Sequence, residues 1–493
     1  MQIIHQMLII FILLQINGIY NTEKDRQQEI FVRKNVNDLT FNEWKDFKRG
    51  IRLMKEKHIR NPLGFYFQSN IHGWNEYDGS ERANYIADAF NWHKCSHEHY
   101  FFLVWHRMYV YFFERILRHA TNNPRFTLPY WDYTDPRQRE IPEPFRVPNN
   151  ETLNPLYESK RCKNINEGKP LNAEITDPMP ALFSKFFAAN KSNELNVCHS
   201  LGGGRIDKPL FSGNREGLLE RIPHDRIHIY VGGPGGYMAD LCNAARDPVF
   251  WINHVMIDRI WESWLTMGGQ NLMEEQYLNQ GFKFYNESGI LDTYYVRDFL
   301  DITKLNYKYD SLIKIDHKIE VTENENPRLY VSVDESKTLD ITNKKRSIIL
   351  KIKQNFKSLF ENIAKGKVPK NRIRFTLQTV IAGSQSGLFF QLYLNLPKNT
   401  MPYEDRPNFL GTIANFQANC IPRQNRKAMG ITHCFDITNN LFTIIQNDYN
   451  YNGVLPKYFN LTIVPKSCDD IYYPEDDEFI IEFDRTLLIH YYP

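Results

Sequence analysis

The chain has 493 residues, of which 42% are hydrophobic and 14% aromatic, so it is long enough for more than one domain and a large buried core. Its formal net charge at pH 7 is only +2, because 60 basic side chains nearly balance 58 acidic ones. This balance gives no electrostatic reason to expect nucleic acid or an anionic membrane surface as a partner.

The first residues are typical of a secretory signal. A short apolar core runs from Met7 to Leu14, and the small residue Gly18 lies near a plausible cleavage site. The run is too short for a membrane span, and no later stretch is long and apolar enough for one. We therefore predict a signal peptide over residues 1–19 and a secreted or vesicular protein. Four sequons fit this route, although such short motifs also arise by chance: Asn150, Asn190, Asn286 and Asn460.

The first group of histidines lies around a strongly apolar segment. A capping-box pattern, Thr40 followed by Glu43, predicts an earlier helix. Residues 101–120 then predict a buried helix, apolar on nearly every side, which carries His106. His97 precedes this helix, and either His72 or His93 could complete a set of three. Within the helix we expect Arg107 and Glu114 to pair, since they are about two turns apart on one side.

The second group lies further along the chain, after a stretch at 135–219 that is rich in Pro, Asn and Gly and predicts long loops. His224 and His228 are four residues apart, so in a helix they project from one face and can bind one metal ion. Asp247 suits the N-cap and Pro248 the first position of a helix that carries His254. Imidazole suits copper, zinc, iron or nickel, so the triplet alone does not name the metal.

The pattern changes again near the C-terminus. Residues 316–346 are charged, have little apolar periodicity and predict a linker. Beyond it, period-two alternation with β-branched and aromatic residues predicts strands. Strand character is clearest at 374–380, 389–396, 460–464 and 479–483.

Together these motifs resemble the type 3 copper proteins, the family of tyrosinases, catechol oxidases and haemocyanins. The resemblance is carried by Trp105-His106-Arg107, by Asp247-Pro248 with His254 and Ile257-Asp258-Arg259, and by the segment 128–133. It implies two copper ions, one held by His72, His97 and His106 and the other by His224, His228 and His254. His72 is preferred to His93 because family members place the first two ligands far apart. His93 and His99 are then loop or rim residues.

The resemblance also implies a two-domain α + β fold. We expect a mainly α catalytic domain at 27–310, with a four-helix bundle that holds a dinuclear copper site. A charged linker at 311–346 and a C-terminal β-sandwich at 347–493 would follow. This last domain resembles the domain of plant polyphenol oxidases that covers the active site in the latent form.

The function implied is copper-dependent oxidation of o-diphenols to o-quinones by dioxygen, with monophenol hydroxylation as a further activity and with latency until the C-terminal domain is displaced. The partners are dioxygen and a small phenol, and the assembly is a monomer or small homo-oligomer. Two alternatives remain. One is a haemocyanin-like dioxygen carrier, and the other is a zinc-loaded relative with altered chemistry.

Four further positions take their roles from the resemblance. Glu220 matches a glutamate of plant polyphenol oxidases that is thought to hold a water beside the coppers, and its other interpretation is a solvated surface carboxylate. Asp225 replaces an Asn of efficient monophenol hydroxylases, and it either helps to take a proton or binds Arg221 or Arg226. Leu241 falls where many plant enzymes place a Phe gate above the second copper. Phe250 is expected to stack beside the substrate ring.

The seven cysteines complete the set of expectations. Cys95 stands two residues before His97, as in fungal tyrosinases and mollusc haemocyanins, where this cysteine is joined to the histidine by a thioether. We expect the same crosslink here, with a free buried thiol as the alternative. The other six would form disulfides, and Cys162 with Cys198 is the favoured pair.

Overall fold

The structure is a computed structural model in which residues 30–315 are described almost without gaps. The described residues are 30–190, 197, 199–315, 328–332, 337–341, 346–351, 357–367, 373–381, 387–397, 408–414, 416, 431–455, 458–468, 479–483 and 486–491. The predicted signal peptide at 1–19 lies outside them. Within the described part, no helix combines the length and the apolar character that crossing a bilayer requires.

Residues 30–315 form a helical region with a few short strands. Its helices are α1 (Phe41–Lys55), α2 (Phe65–His72), α3 (Glu81–Phe90), α4 (Phe102–Thr121), α5 (Lys163–Asn166), α6 (Ala173–Thr176), α7 (Met179–Leu182), α8 (Arg226–Gly232), α9 (Pro248–Thr266) and α10 (Glu275–Leu278). A π-helical turn, Glu220–Asp225, leads into α8. Its strands are β1 (Phe31–Arg33), β2 (Gly281–Tyr285), β3 (Leu291–Tyr295) and β4 (Tyr307–Tyr309).

The helix starts follow their local sequence signals. Thr40 and Glu43 form the expected capping box at α1. The Asp247 side chain accepts a hydrogen bond from the N–H of Val249 at the start of α9, where Pro248 is the first helical residue. Between α4 and α8 the chain is mostly irregular, with three helices of four residues each, as its composition predicts. Local chemistry therefore determines where these elements begin.

A buried ion network joins the core helices to the two ends of the helical region. Arg107 on α4 donates to Asp258 and Glu262 on α9, at 2.5 Å each. Glu114 instead accepts from Arg33 of β1 at 2.9 Å. The prediction that Arg107 pairs with Glu114 is therefore wrong. Arg107 finds its partners on α9, whereas Glu114 accepts both from Arg33 of β1 and from Arg118, four residues later on α4, at 2.9 Å each.

Strands dominate the C-terminal region. They are β5 (Arg328–Ser332), β6 (Lys337–Ile341), β7 (Arg346–Lys351), β8 (Ile373–Ile381), β9 (Phe389–Leu394), β10 (Phe409–Ala414), β11 (Ile431–Asp436), β12 (Tyr458–Lys466), β13 (Phe479–Phe483) and β14 (Thr486–Tyr491), with helices α11 (Lys357–Ala364) and α12 (Thr438–Asn452). Two four-stranded sheets form, in the orders β10-β9-β12-β7 and β11-β8-β14-β5. The four predicted strand segments are confirmed.

The predicted linker at 311–346 is partly wrong, because β5 and β6 lie inside it. β5 pairs with β14 and β6 pairs with β13, both antiparallel. These strands are only five residues long, and their pairing partners lie at the far end of the chain. The composition alone could not reveal that pairing.

A disulfide joins the two regions. Cys162, just before α5, is bonded to Cys468, which follows β12, across a sequence separation of 306 residues. The favoured pair of Cys162 with Cys198 is therefore wrong. Two further contacts cross the same boundary: the Arg226 guanidinium donates to the Thr412 carbonyl at 3.1 Å, and the Tyr230 and Phe389 rings stack at 4.4 Å. Arg226 and Tyr230 lie on α8, and the Cys162 N–H donates to the Val231 carbonyl of the same helix.

Candidate metal centre

The six predicted histidines come from six places in the helical region. His72 is the last residue of α2, His97 lies in the turn before α4, and His106 lies on α4. His224 lies in the π-helical turn, His228 on α8 and His254 on α9. All six side chains are at least 98% buried. Histidine is usually only partly buried, and burying its polar ring costs free energy unless the ring nitrogens find partners. The burial of all six rings therefore points to a binding role.

The rings converge as two sets of three. In the first set, the ring centroids are 5.1 Å apart for His72 and His97, 4.8 Å for His97 and His106, and 5.5 Å for His72 and His106. In the second set, nitrogen atoms of all three rings lie within 4.8 Å of one another. The sets face each other, since His106 and His254 stack at 4.4 Å. The predicted convergence of six imidazoles is present.

Several ring nitrogens of the two sets have no hydrogen-bond partner among the described residues. They are His72 Nε2, His97 Nδ1 and Nε2, His106 Nε2, His224 Nε2 and His254 Nδ1. A buried nitrogen without a partner costs free energy unless something else binds it. Imidazole lone pairs gathered in threes fit two metal ions, and the donor type suits copper. The residues present therefore fit a dinuclear copper centre.

Electrostatics keep these rings neutral. Burial is the largest effect, and the neighbouring imidazoles add to it in lowering the pKa of five of the six. For His224, burial lowers the pKa to about 3. A metal needs the neutral form of imidazole, so the centre is prepared for binding without a competing proton.

Four of the rings are oriented by a hydrogen bond from Nδ1. His72 donates to the Leu241 carbonyl at 3.0 Å and His106 to the Phe102 carbonyl at 2.9 Å. His228 donates to the Met238 carbonyl at 2.7 Å. A carbonyl oxygen can only accept, so Nδ1 carries the proton and Nε2 keeps its lone pair for the centre.

Asp225 plays the same part for His224, whose Nδ1 lies 2.8 Å from the Asp225 carboxylate. Of the alternatives for Asp225, hydrogen bonding to Arg226 is not seen, because Arg226 donates to Glu174 instead. Arg221 donates to Glu216 at 3.0 Å. Burial raises the pKa of Asp225 to about 7. Its place beside a histidine of the second set makes it an orienting group first.

Glu220 is buried, with an exposed fraction of 1%, so its interpretation as a solvated surface carboxylate is wrong. Both carboxylate oxygens accept from the backbone N–H of Glu98, at 2.8 and 2.9 Å. Glu98 follows His97, so this contact joins the π-helical turn to the first histidine set. Burial raises the pKa of Glu220, and the nearby carboxylates of Asp225, Glu216 and Glu98 raise it further.

Leu241 and Phe250 lie deeper than expected. Leu241 is 2% exposed and its carbonyl accepts from His72 Nδ1 of the first set, while its role as a gate above the second copper stays a prediction. The Phe250 ring is fully buried, 4.9 Å from the His72 ring and 4.1 Å from that of His254. It is therefore an apolar wall shared by both sets.

The first set has a cysteine beside it. The Cys95 sulfur lies within 4.8 Å of ligand nitrogens of His72 and His97. It is a free, buried thiol in the structure, and burial raises its pKa. His93, the rival for the first position, instead stacks between Tyr77 and Phe211, at 4.0 and 3.7 Å. His93 thus lies outside both sets.

Two aromatic residues of the site escaped the sequence reasoning. Phe102 lies 4.6 Å from the His106 ring and 4.7 Å from the His224 ring, between the two sets. Phe416 reaches in from the C-terminal region and stacks on His228 at 4.3 Å, with an angle of 28° between the planes. Phe102 could have been found from its place one turn before His106. For Phe416 no local signal exists.

Comparison with known proteins agrees with this geometry. Residues 62–267 match the common central domain of tyrosinase, and residues 271–319 match the polyphenol oxidase middle domain. The chain carries all six histidines of the two sets within residues 62–267, where they fit a dinuclear copper centre. Over these residues it belongs to the tyrosinase and polyphenol oxidase family.

Its curated relatives are distant. Tyrosinase HcTyr1 of Hahella sp. (strain CCB-MM4) is 29% identical over 56% of this chain and 62% of that protein. Aureusidin synthase of Antirrhinum majus is 29% identical over 54% of this chain and 49% of that protein. The latent polyphenol oxidase of Prunus armeniaca is 30% identical over 43% and 38%. The chain thus spans about half the length of the curated relatives it matches.

Solved structures resemble nearly the whole chain in fold. A latent apple tyrosinase has a TM-score of 0.61 at 20% identity, over 94% of this chain and 97% of that one. A latent aurone synthase, also a polyphenol oxidase, has a TM-score of 0.59 at 20% identity, over 95% and 91%. At this identity the likeness establishes the fold, including the C-terminal region.

Proposed function

We propose that the protein oxidises o-diphenols to o-quinones with dioxygen, using two copper ions, and that it also hydroxylates monophenols. The observation that carries this proposal is the convergence of six buried, neutral imidazoles, five of which have a ring nitrogen without a hydrogen-bond partner among the described residues. His72, His97 and His106 would hold one ion, and His224, His228 and His254 the other. A copper pair would supply the binding of dioxygen and the two-electron exchange with the phenol.

The chain's own residues orient, enclose and deprotonate. Backbone carbonyls and Asp225 fix the ring directions, while Phe250 and Phe102 exclude water from the space between the sets. Glu220 is proposed to take the proton of the phenolic hydroxyl through a water. Its raised pKa makes it a better proton acceptor, and each oxygen keeps a lone pair after accepting from Glu98.

We further propose that the C-terminal region is a β-sandwich, with the two four-stranded sheets as its layers, and that it keeps the enzyme latent. In the helical region, α1, α2, α4 and α9 would form the four-helix bundle. The catalytic domain would be 27–310, followed by a linker and the C-terminal domain. Because β5 begins at Arg328, inside the range 311–346 predicted as linker, the C-terminal domain would start at 328. Phe416 supports latency, since its ring covers His228 where a substrate ring would approach the second set.

The thioether between Cys95 and His97 remains a proposal with a physical motive. His97 makes no hydrogen bond from either ring nitrogen among the described residues, whereas four of the other rings are anchored by Nδ1. A bond from the Cys95 sulfur would fix this ring instead. Forming it removes one hydrogen from each residue, with dioxygen as the oxidant. Peptide mass measurement should show the loss of both hydrogens after copper loading, and unlinked peptides would contradict it.

Passage through an oxidising compartment is supported by the disulfide between Cys162 and Cys468. We propose a signal peptide at 1–19 and a monomer or small homo-oligomer. Asn150 and Asn190 are exposed and could be glycosylated. Several relatives are named chloroplastic, among them polyphenol oxidase A1 of Vicia faba. N-terminal sequencing and glycosidase treatment of the mature protein would decide between the two routes.

Parallel assays with tyrosine, L-DOPA and 4-methylcatechol test the proposed reaction. Turnover of 4-methylcatechol, increased when mild detergent displaces the C-terminal domain, is the expected result. The second candidate is a dioxygen carrier, which the cover of Phe416 over His228 favours. Reversible dioxygen binding without any catechol turnover in the displaced form would establish the carrier and reject the oxidase.

A further inference from the structure

One short segment, residues 238–241, contacts both histidine sets. The Met238 carbonyl accepts from His228 Nδ1 at 2.7 Å, and the Leu241 carbonyl accepts from His72 Nδ1 at 3.0 Å. These two rings belong to different sets and to different helices, α8 and α2. The directions of their Nε2 lone pairs therefore depend on the shape of one loop.

Asp240 determines the shape of that loop. Its carboxylate accepts from the Cys242 N–H at 3.0 Å and from the Asn243 side-chain amide at 2.8 Å. Its carbonyl accepts from the N–H groups of Asn243 and Ala244, which starts the 3-10 turn Ala244–Arg246. The side chain thus folds the chain at the point between the two carbonyls that orient histidines.

Glycines at the ends of α2 and α8 allow the close approach. A Cβ on Gly73 would lie 2.5 Å from the Cys242 Cα and 2.6 Å from the Leu241 oxygen. A Cβ on Gly232 would collide with the backbone of Ala239. The loop is therefore wedged against the residue after His72 and against the last turn of the helix that carries His228.

We propose that Asp240 is a positioning residue shared by the two copper sites, which acts through the backbone of residues 238–241. Losing its carboxylate would loosen the turn, release both carbonyls and let both rings rotate. The two copper ions should then be lost together. This inference rests on the proposed dicopper function.

The test is copper release to a chelator from the copper-loaded enzyme. Asp240→Ala should accelerate release of both ions by about 10- to 100-fold, the range expected when a metal ligand loses its hydrogen-bond support. Asp240→Asn keeps an acceptor for the Cys242 N–H and should largely restore the wild-type rate. Asn243→Ala, which removes one donor to the same carboxylate, should give a smaller shift in the same direction and serves if Asp240→Ala does not fold.

Asp135→Ala is the matched control, because the Asp135 carboxylate accepts from the Arg137 N–H in a surface 3-10 turn distant from the histidines. Its release rate should equal that of the wild type. Release from Asp240→Ala at the wild-type rate, or faster loss of one ion only, would overturn the proposal. A wild-type enzyme that binds no copper would instead reject the proposed function, so the two failures are distinguishable.

The disulfide between Cys162 and Cys468 carries a second, independent inference. The Cys162 N–H donates to the Val231 carbonyl on α8 at 2.9 Å, so the bond is fixed to the helix that carries His228. A Cβ on Gly233 would lie 2.6 Å from the Cys468 sulfur, and both cysteines are buried. Any cut in the linker falls between residues 162 and 468 and leaves this bond intact.

We infer that chain cleavage alone does not release Phe416, and that activation by proteolysis also needs a dithiol reductant. A cleaved but tethered domain stays at an effective concentration on the order of millimolar, which keeps it docked. In the second step the Cys162–Cys468 bond breaks, two thiols form, and the dithiol is oxidised to its own disulfide. This inference rests on the proposed latency.

The test uses the full chain with a specific protease site inserted at 316–327. On a denaturing gel, the cleaved wild type should run as one species without reductant and as two with it. Turnover of 4-methylcatechol, measured after the reductant is removed, should rise only when cleavage and reduction are combined. Cys468→Ser should be activated by cleavage alone, with Cys162→Ser as the second variant.

Fragments that separate on the gel without reductant, or full activation of the wild type by cleavage alone, would overturn the tether. If the fragments remain joined on the gel without reductant but no condition gives turnover, the proposed function fails and the tether stands. The gel result does not depend on any variant folding.

Discussion

Replacing Phe416 by Ala tests the proposed latency at the residue that covers the site. The Phe416 ring is 97% buried and stacks on His228 at 4.3 Å. Burying a Phe side chain contributes roughly 1.5 to 3 kcal/mol, and an aromatic pair adds about 0.5 to 1.5 kcal/mol. At about 1.4 kcal/mol for each factor of ten, their loss favours the uncovered form by roughly 30- to 1000-fold.

The remaining contacts, Arg226 with Thr412 and Tyr230 with Phe389, still hold the domain in place. We therefore expect kcat/KM of the intact Phe416→Ala protein for 4-methylcatechol to rise by at least about tenfold. Phe416→Leu, which keeps most of the apolar bulk, should rise less. After detergent displacement of the domain, the wild type and both variants should have equal activity. Intact Phe416→Ala with the same activity as the intact wild type, while the displaced forms agree, would refute the reasoning.

Three further outcomes follow. His106→Ala should bind about one copper per chain, whereas His93→Ala should keep both, as metal analysis of each purified variant would show; a copper loss in His93→Ala would restore it as a ligand. Arg107→Ala should lower the free energy of unfolding by roughly 3 to 5 kcal/mol, because it leaves the buried Glu262 without a cation and Asp258 with Arg33 alone, while the exposed Arg137→Ala should change it by less than about 1 kcal/mol in the same denaturant titration. Burial alone would raise the pKa of Asp258, but Arg107 and Arg33 outweigh it and lower that pKa. The stabilisation from ionised Asp258 should therefore be constant above about pH 4 and disappear as the pH falls further. If the free energies of unfolding of the wild type and Asp258→Asn keep a constant difference down to about pH 2, this expectation is contradicted.

Features with a local cause were predictable from the sequence. The capping box at Thr40 and the Asp247-Pro248 start of α9 each depend on a few adjacent residues, and both are present. The spacing of His224 and His228 predicted one shared face. It holds although Ile222 departs from helical geometry just before His224. Period-two alternation likewise identified strands, although not their partners.

Features that depend on distant residues were missed for a physical reason. Cys162 reaches Cys468 across 306 residues, and nothing near Cys162 distinguishes that partner from Cys198. Arg107 and Glu114 share a helix side, yet each finds a better placed partner on another element. Phe416 reaches His228 only because two domains dock. Such pairings follow from the packing of whole elements rather than from local propensity.

The central claim is that two sets of three imidazoles bind a pair of copper ions. Metal analysis of the full-length protein, combined with its near-ultraviolet absorption in the presence and absence of dioxygen, tests it most directly. The account predicts two copper ions per chain and an absorption band that appears only with dioxygen. Zinc in place of copper, or copper without an oxygen-dependent band, would contradict it.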